Sequence, residues 1–187
     1  NKPVQLRGMS THGPQWFPTC FVNGAWDALA TDWKADVVRI AMYVQEDGYE
    51  TNPALFTDRV NSYVDAITAR GMYAIIDFHI LSPGDPNYNL TRAKTFFASV
   101  AQRNAANPNV IYEIANEPNG VSWASIKSYA ERVIPVVRAA DADGIVLVTQ
   151  QVSDDALYHA LVADRTALEA NGIEAVYRIG DCVAPRM

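Results

Sequence analysis

Short apolar runs recur along the 187-residue chain at nearly constant intervals, and that period limits the folds open to it. The runs are Val4–Met9, Val37–Met42, Met72–Phe78, Val110–Ile114, Ile145–Thr149 and Ala175–Ile179, with starts 33, 35, 38, 35 and 30 residues apart. Such a spacing accommodates one strand, a loop and a returning helix. Runs that are apolar at nearly every position suit strands buried on both faces of a parallel sheet.

The intervening stretches read as helices. Leu55–Arg70 is amphipathic, with Leu55, Val60, Tyr63, Val64 and Ile67 expected to face inward. Asn52-Pro53 opens that helix, and Gly71 stands where a helix-ending glycine belongs. Asn89–Asn104 and Trp123–Ala140 read the same way, with a kink expected at Pro135. Asn107-Pro108-Asn109 and Asp141–Gly144 supply turns into strands. The expected fold class is α/β, of the (β/α) barrel type. A closed barrel of eight units at about 35 residues each needs about 280 residues. The chain therefore reads as an incomplete or truncated TIM barrel with about six parallel strands, as an open sheet, or as part of a barrel that another chain completes. Open strand edges and uncovered apolar faces lead us to expect a homo-oligomer.

Charge narrows the partners. Fifteen basic residues against twenty-one acidic ones give a net charge of −6, and no run of Lys or Arg occurs. Nucleic acid and anionic membrane surfaces are poor partners for such a chain. Its apolar stretches are too short to span a bilayer. Two cysteines, Cys20 and Cys182, allow at most one bridge. The sequence starts at Asn1 without a basic, apolar and small-residue leader pattern, so a leader is expected to have been removed or the sequence trimmed.

Polar groups gather after the strands, where parallel α/β folds hold ligands. The first run is followed by Ser10, His12, Gln15 and Trp16, and the second carries Arg39 and ends at Tyr43. The third ends Asp77-Phe78-His79, and the fourth Ala115-Asn116-Glu117-Pro118-Asn119. Taken singly, each has a structural reading: a satisfied histidine, a packed ion pair, a proline-terminated turn. Four strands delivering such groups to one end favour a site. A carboxylate beside a buried arginine and a histidine can be tuned for acid catalysis.

The stretches LRGMSTHGPQWF (Leu6–Phe17), VVRIAMYVQEDGY (Val37–Tyr49), MYAIIDFHIL (Met72–Leu81) and VIYEIANEPNG (Val110–Gly120) resemble glycoside hydrolase family 5, most closely its bacterial endoglucanases. The resemblance covers about residues 1–148, taken as a partial barrel, with 149–187 as an atypical βα extension. It implies hydrolysis of β-1,4-glucan by a retaining acid/base mechanism. Glu117 matches the general acid/base, and Asn116 the residue at the sugar 2-hydroxyl. Arg39 and His79 match the support around the carboxylates, while His12, Trp16 and Tyr43 match residues lining the glucan cleft. It further implies a β-glucan or cello-oligosaccharide substrate, no cofactor, no metal and secretion.

The likeness covers half of a catalytic pair. Retaining glycosidases use two carboxylates about 5–5.5 Å apart. The family's nucleophile is a glutamate after a seventh strand, which has no counterpart here. Asp181 follows the sixth run and is the nearest substitute, whereas Glu174 precedes it. Gly172–Arg186 resembles the end of flavoproteins of the trimethylamine dehydrogenase and dienoyl-CoA reductase type. No G-x-G-x-x-G loop accompanies it, so flavin binding is not expected. The alternative to an enzyme is a half-barrel or chimera that binds glucan weakly, or only folds, and is completed by self-association.

Overall fold

The computed structural model describes residues 5–148 and 163–170. The chain divides into two compact units, Asn1–Thr149 and Gln150–Met187. In the first unit, β1 (Gly8–Ser10), β2 (Val37–Tyr43), β3 (Tyr73–His79), β4 (Val110–Glu113) and β5 (Ile145–Leu147) form one sheet in sequence order. Every neighbouring pair is parallel. The connections carry α1 (Asn23–Thr31), α2 (Pro53–Thr68), α3 (Leu90–Asn104) and α4 (Trp123–Ala140). In the second unit the described residues include the short helix α5 (Arg165–Ala170). No described helix is long and apolar enough to cross a membrane.

Side chains alternate across a strand, so each strand divides its residues between two faces. Val38, Ile40 and Met42 of β2, Ala74, Ile76 and Phe78 of β3, and Val110 and Tyr112 of β4 enter one apolar core. Phe56, Val60, Val64 and Ile67 of α2, Phe96, Phe97 and Val100 of α3, and Val133 and Val137 of α4 complete it. Two buried tyrosines keep their hydroxyls satisfied, as buried polar groups must be. Tyr112 Oη donates to Asp141 Oδ2 at 3.0 Å and Tyr129 Oη to the Ile114 carbonyl at 2.6 Å. Burial raises the pKa of both phenols, which stay protonated donors.

Helix ends follow the expected chemistry. Asn52 Oδ1 accepts the Leu55 N–H at 3.1 Å, and Pro53 opens α2. Gly71 has φ +78° and follows the helix, as a left-handed terminator does. Ser122 caps α4 by accepting the Ser125 N–H, and that helix continues through Pro135.

Several expectations need correction. Leu55 does not face inward: it is 41% exposed, and Phe56, at 3%, takes the core position. The first strand lies at Gly8–Ser10 rather than Val4–Met9. Asp36 accounts for the shift, because its carboxylate takes the Arg7 N–H at 3.1 Å and its own N–H donates to the Arg7 carbonyl. Residue 7 is thus bonded to a loop, and the ladder starts after it. Five strands stand among the described residues, and the expected sixth, Ala175–Ile179, lies outside them.

The two ends of the sheet are under-covered. All three residues of β1 are exposed, and Ile145 at the start of β5 is 51% exposed.

Candidate active site

The face of the sheet opposite the helices is polar where β1 to β4 meet. In register, Ser10 pairs with Arg39, and Asp77 pairs with Glu113. Asp77 and His79 sit two residues apart on β3 and so share a face. These residues surround a single cation. Arg39 Nε donates to Glu113 Oε2 at 2.6 Å, and Nη2 to Glu113 Oε1 at 3.0 Å, the two-pronged geometry that a planar guanidinium favours. Nη2 also reaches Asn116 Oδ1 at 3.0 Å and Asp77 Oδ2 at 2.8 Å. Among the described residues, Nη1 has only a 3.5 Å contact to Ser10 Oγ.

Asp77 is fully buried. Its Oδ2 serves both Arg39 and His79, whose Nδ1 lies 2.6 Å away, while Oδ1 has no hydrogen-bond partner among the described residues. Burial pushes the carboxyl up to about 6, against the hydrogen bond with His79 and the charge of Arg39. Desolvation disfavours the Arg39 charge, but the Glu113 hydrogen bond and the charges of Asp77, Glu113 and Glu117 outweigh it and raise its pKa.

A run of rings borders this cluster. Tyr43 stacks on His79 with centroids 4.0 Å apart and on His12 at 5.7 Å. Trp16 meets Tyr43 edge to face at 4.7 Å and His12 at the same distance, and Phe17 lies 5.7 Å from His12. Trp16 and Phe17 are 37% and 49% exposed, so this aromatic surface faces solvent. Burial, followed by the charges of Glu46 and Asp77, raises the Tyr43 pKa and keeps its hydroxyl protonated.

Glu117 sits on the loop after β4 with φ +36°, in the left-handed region that side chains normally avoid. Its neighbours hold it there. The Asn116 N–H donates to the Phe78 carbonyl and its Nδ2 to the Ile80 carbonyl, both at 3.2 Å. Asn119 Nδ2 donates to the Glu117 carbonyl at 3.0 Å, and the Asn119 N–H to the Gly84 carbonyl at 3.2 Å. A Cβ on Gly84 would lie 2.4 Å from the Asn119 carbonyl oxygen, so the two loops meet at a point only glycine fits. Further out, Asn87 Nδ2 donates to Ser125 Oγ at 3.0 Å and to Asp85 Oδ1 at 2.8 Å. The Glu117 carboxylate is half-exposed and has no hydrogen-bond partner among the described residues.

The structure thus gathers the residues singled out from sequence at one end of the sheet. His12, Trp16, Tyr43 and His79 form continuous ring contacts, Arg39 bonds to Asn116, and the Glu117 charge is felt by Arg39 and Tyr43. Phe78 points into the core, against Phe96 and Phe97, and takes no part. Sequence reasoning passed over Glu113, and it named Asp77 only as a strand end. Both could have been found by carrying the two-residue alternation through Asp77-Phe78-His79 and Tyr112-Glu113. Asp181 lies outside the described residues.

Comparison with known proteins agrees with this geometry. The model for Cellulase (glycosyl hydrolase family 5) matches residues 1–167. Endoglucanase E-5 of Thermobifida fusca is 68% identical over 146 residues, which are 78% of this chain and 31% of that protein. Endoglucanase CelA of Streptomyces lividans is 68% identical over 148 residues, 79% of this chain and 32% of that one. The crystal structure of the catalytic domain of the Thermobifida fusca endoglucanase Cel5A (E5) superposes with a TM-score of 0.79 at 60% identity, covering 92% of this chain and 56% of its own. A variant of the same domain, solved in complex with cellotetraose, gives a TM-score of 0.78. This chain spans about a third of the length of those curated relatives. Its parallel five-stranded sheet is part of the family's barrel, and the chain belongs to glycosyl hydrolase family 5.

Proposed function

We propose that the chain forms the acid/base half of an endo-β-1,4-glucanase acting on β-glucan and cello-oligosaccharides. The observation that carries this reading is the state of three carboxylates. Asp77 and Glu113 are bonded to Arg39, whereas the Glu117 carboxylate has no hydrogen-bond or ion-pair partner among the described residues and lies close enough to raise the Arg39 and Tyr43 pKa values. Glu117 is then free to protonate the oxygen of a glycosidic bond. Asn116 is fixed by Arg39 Nη2 and the Ile80 carbonyl, leaving one amide hydrogen for a sugar hydroxyl. The exposed ring of Trp16 suits the apolar face of a glucose ring.

A retaining mechanism needs a second carboxylate about 5–5.5 Å from Glu117. Asp77 and Glu113 are committed to Arg39, so the nucleophile comes from elements other than β3 and β4. The proposed chemistry belongs to the completed barrel. Glu117→Gln is expected to remove at least 99% of reducing-sugar release from carboxymethyl-cellulose, consistent with the roughly 10²–10⁴-fold contribution of general acid catalysis. Retention of that activity would show that another group is the acid.

The commitment of Asp77 and Glu113 also favours a second reading for the chain on its own, as a glucan-binding half-barrel without turnover. Saturable binding of cellotetraose with no reducing sugar released supports it, and release of reducing sugar rejects it. We further propose that the chain is secreted, since polymeric glucan cannot reach an enzyme inside the cell, and that it forms a homo-oligomer through the exposed edges of its sheet. Culture fractionation that places the protein with the cells rather than the medium would overturn the first of these.

A further inference from the structure

The two imidazoles of the site are held through the same ring nitrogen in opposite senses. His12 Nδ1 accepts the Gly13 N–H at 2.8 Å. A backbone N–H can only donate, so neutral His12 carries its hydrogen on Nε2. His79 Nδ1 faces Asp77 Oδ2 at 2.6 Å, and that oxygen also accepts from Arg39 Nη2 at 2.8 Å. The guanidinium favours the ionised, acceptor-only carboxylate, so neutral His79 carries its hydrogen on Nδ1. Neither Nε2 has a hydrogen-bond partner among the described residues. Both imidazoles stack on Tyr43, nearly parallel to its ring, at interplanar angles of 19° for His12 and 27° for His79.

We propose that Asp77 is a positioning residue that sets the tautomer of His79, so that the stack on Tyr43 offers a sugar one donor, His12 Nε2–H, and one acceptor, His79 Nε2. A glucose ring carries hydroxyls that each donate and accept. The His12 side takes an oxygen lone pair, and the His79 side takes an O–H. Asp77 is fully buried and orients His79 from behind, as the carboxylate of a catalytic triad orients its imidazole, while the same oxygen holds Arg39. The identity of the ligand rests on the glucan reading; the tautomers do not.

The chain contains three histidines, so the imidazole signals of a 15N-labelled sample can be assigned with His12→Gln and His79→Gln. At pH 8 the ligand-free protein is expected to show His79 protonated on Nδ1 and His12 on Nε2. A hydrogen on His79 Nε2 overturns the proposal, and this measurement requires no variant at Asp77. Asp77→Ala is expected to move that hydrogen to Nε2 and to weaken cellotetraose binding about tenfold. Asp77→Asn keeps an oxygen acceptor, so it is expected to retain the Nδ1–H form and most of the affinity. An unchanged tautomer and affinity in Asp77→Ala would sink the idea. Expected tautomers in a protein that does not bind cellotetraose support the positioning role and reject the glucan reading. Binding with His79 protonated on Nε2 does the reverse.

Discussion

Arg39 is the only cation of its cluster among the described residues, and its partners decide what each substitution does. Its guanidinium meets Glu113 through two nitrogens and Asp77 through one, with the side chain 23% exposed. Removing one partner of a buried pair leaves the other charge uncompensated. Glu113→Ala is therefore expected to destabilise the fold by about 2–3 kcal/mol, below the range for a fully buried pair because Asp77 and solvent remain. Urea unfolding checks this, and a loss under about 0.5 kcal/mol would mean the pair is no more than a surface contact. Asp77 adds a pH dependence. Its carboxyl is raised from 3.8 to about 6, so the folded chain holds that proton where the unfolded chain has released it. Its contribution is complete below about pH 4 and is lost as pH rises through 6, on the order of 3 kcal/mol in all. Relative to Asp77→Asn, the protein should lose stability between pH 4 and 6 and hold level above; a gain across that window contradicts the assignment. Residue types were legible in the sequence here, but partners were not. Arg39 and Asn116 lie 77 positions apart, and only the sheet register brings them into contact.

Helix boundaries were more readable, because caps and stops are local. Asn52 and Gly71 bracket α2 as their chemistry requires. Asn52→Ala is expected to cost about 1 kcal/mol and lower Tm by roughly 2–4 °C, with Ser122→Ala similar at α4. Calorimetry that finds no change in either would show that the caps are replaced by solvent. The stripe was misjudged by one residue. Phe56, Val60, Tyr63, Val64 and Ile67 are spaced for one helical face, and Leu55 sits a hundred degrees away from Phe56 in the first turn. An apolar residue at a helix start is weak evidence of burial when its successor fits the periodicity better. α1 was overlooked for a related reason. Asn23–Thr31 buries one residue, Trp26, so its pattern is faint.

For the whole molecule, the interval between apolar runs was enough to give a parallel α/β fold, barrel or open sheet, and the family motifs selected the barrel and put the candidate site at one end of it. Coverage of the sheet is a property of what lies beside it, which no periodicity reports. Among the described residues β1 and β5 are the outer strands of the sheet, and apolar side chains such as Met9 and Ile145 are exposed there. Such edges invite pairing. Sedimentation equilibrium is expected to show a mass that rises with concentration, and a strictly monomeric profile would rule self-association out. The contact between Gly84 and Asn119 has a different kind of consequence. Because the loops after β3 and β4 share that pinch point, and the Asn87–Ser125 bridge ties the first of them to the start of α4, neither can be lengthened or exchanged by itself. In gene shuffling among relatives, crossovers placed between the two loops should yield misfit hybrids, while both loops inherited from one parent should graft as a single cassette.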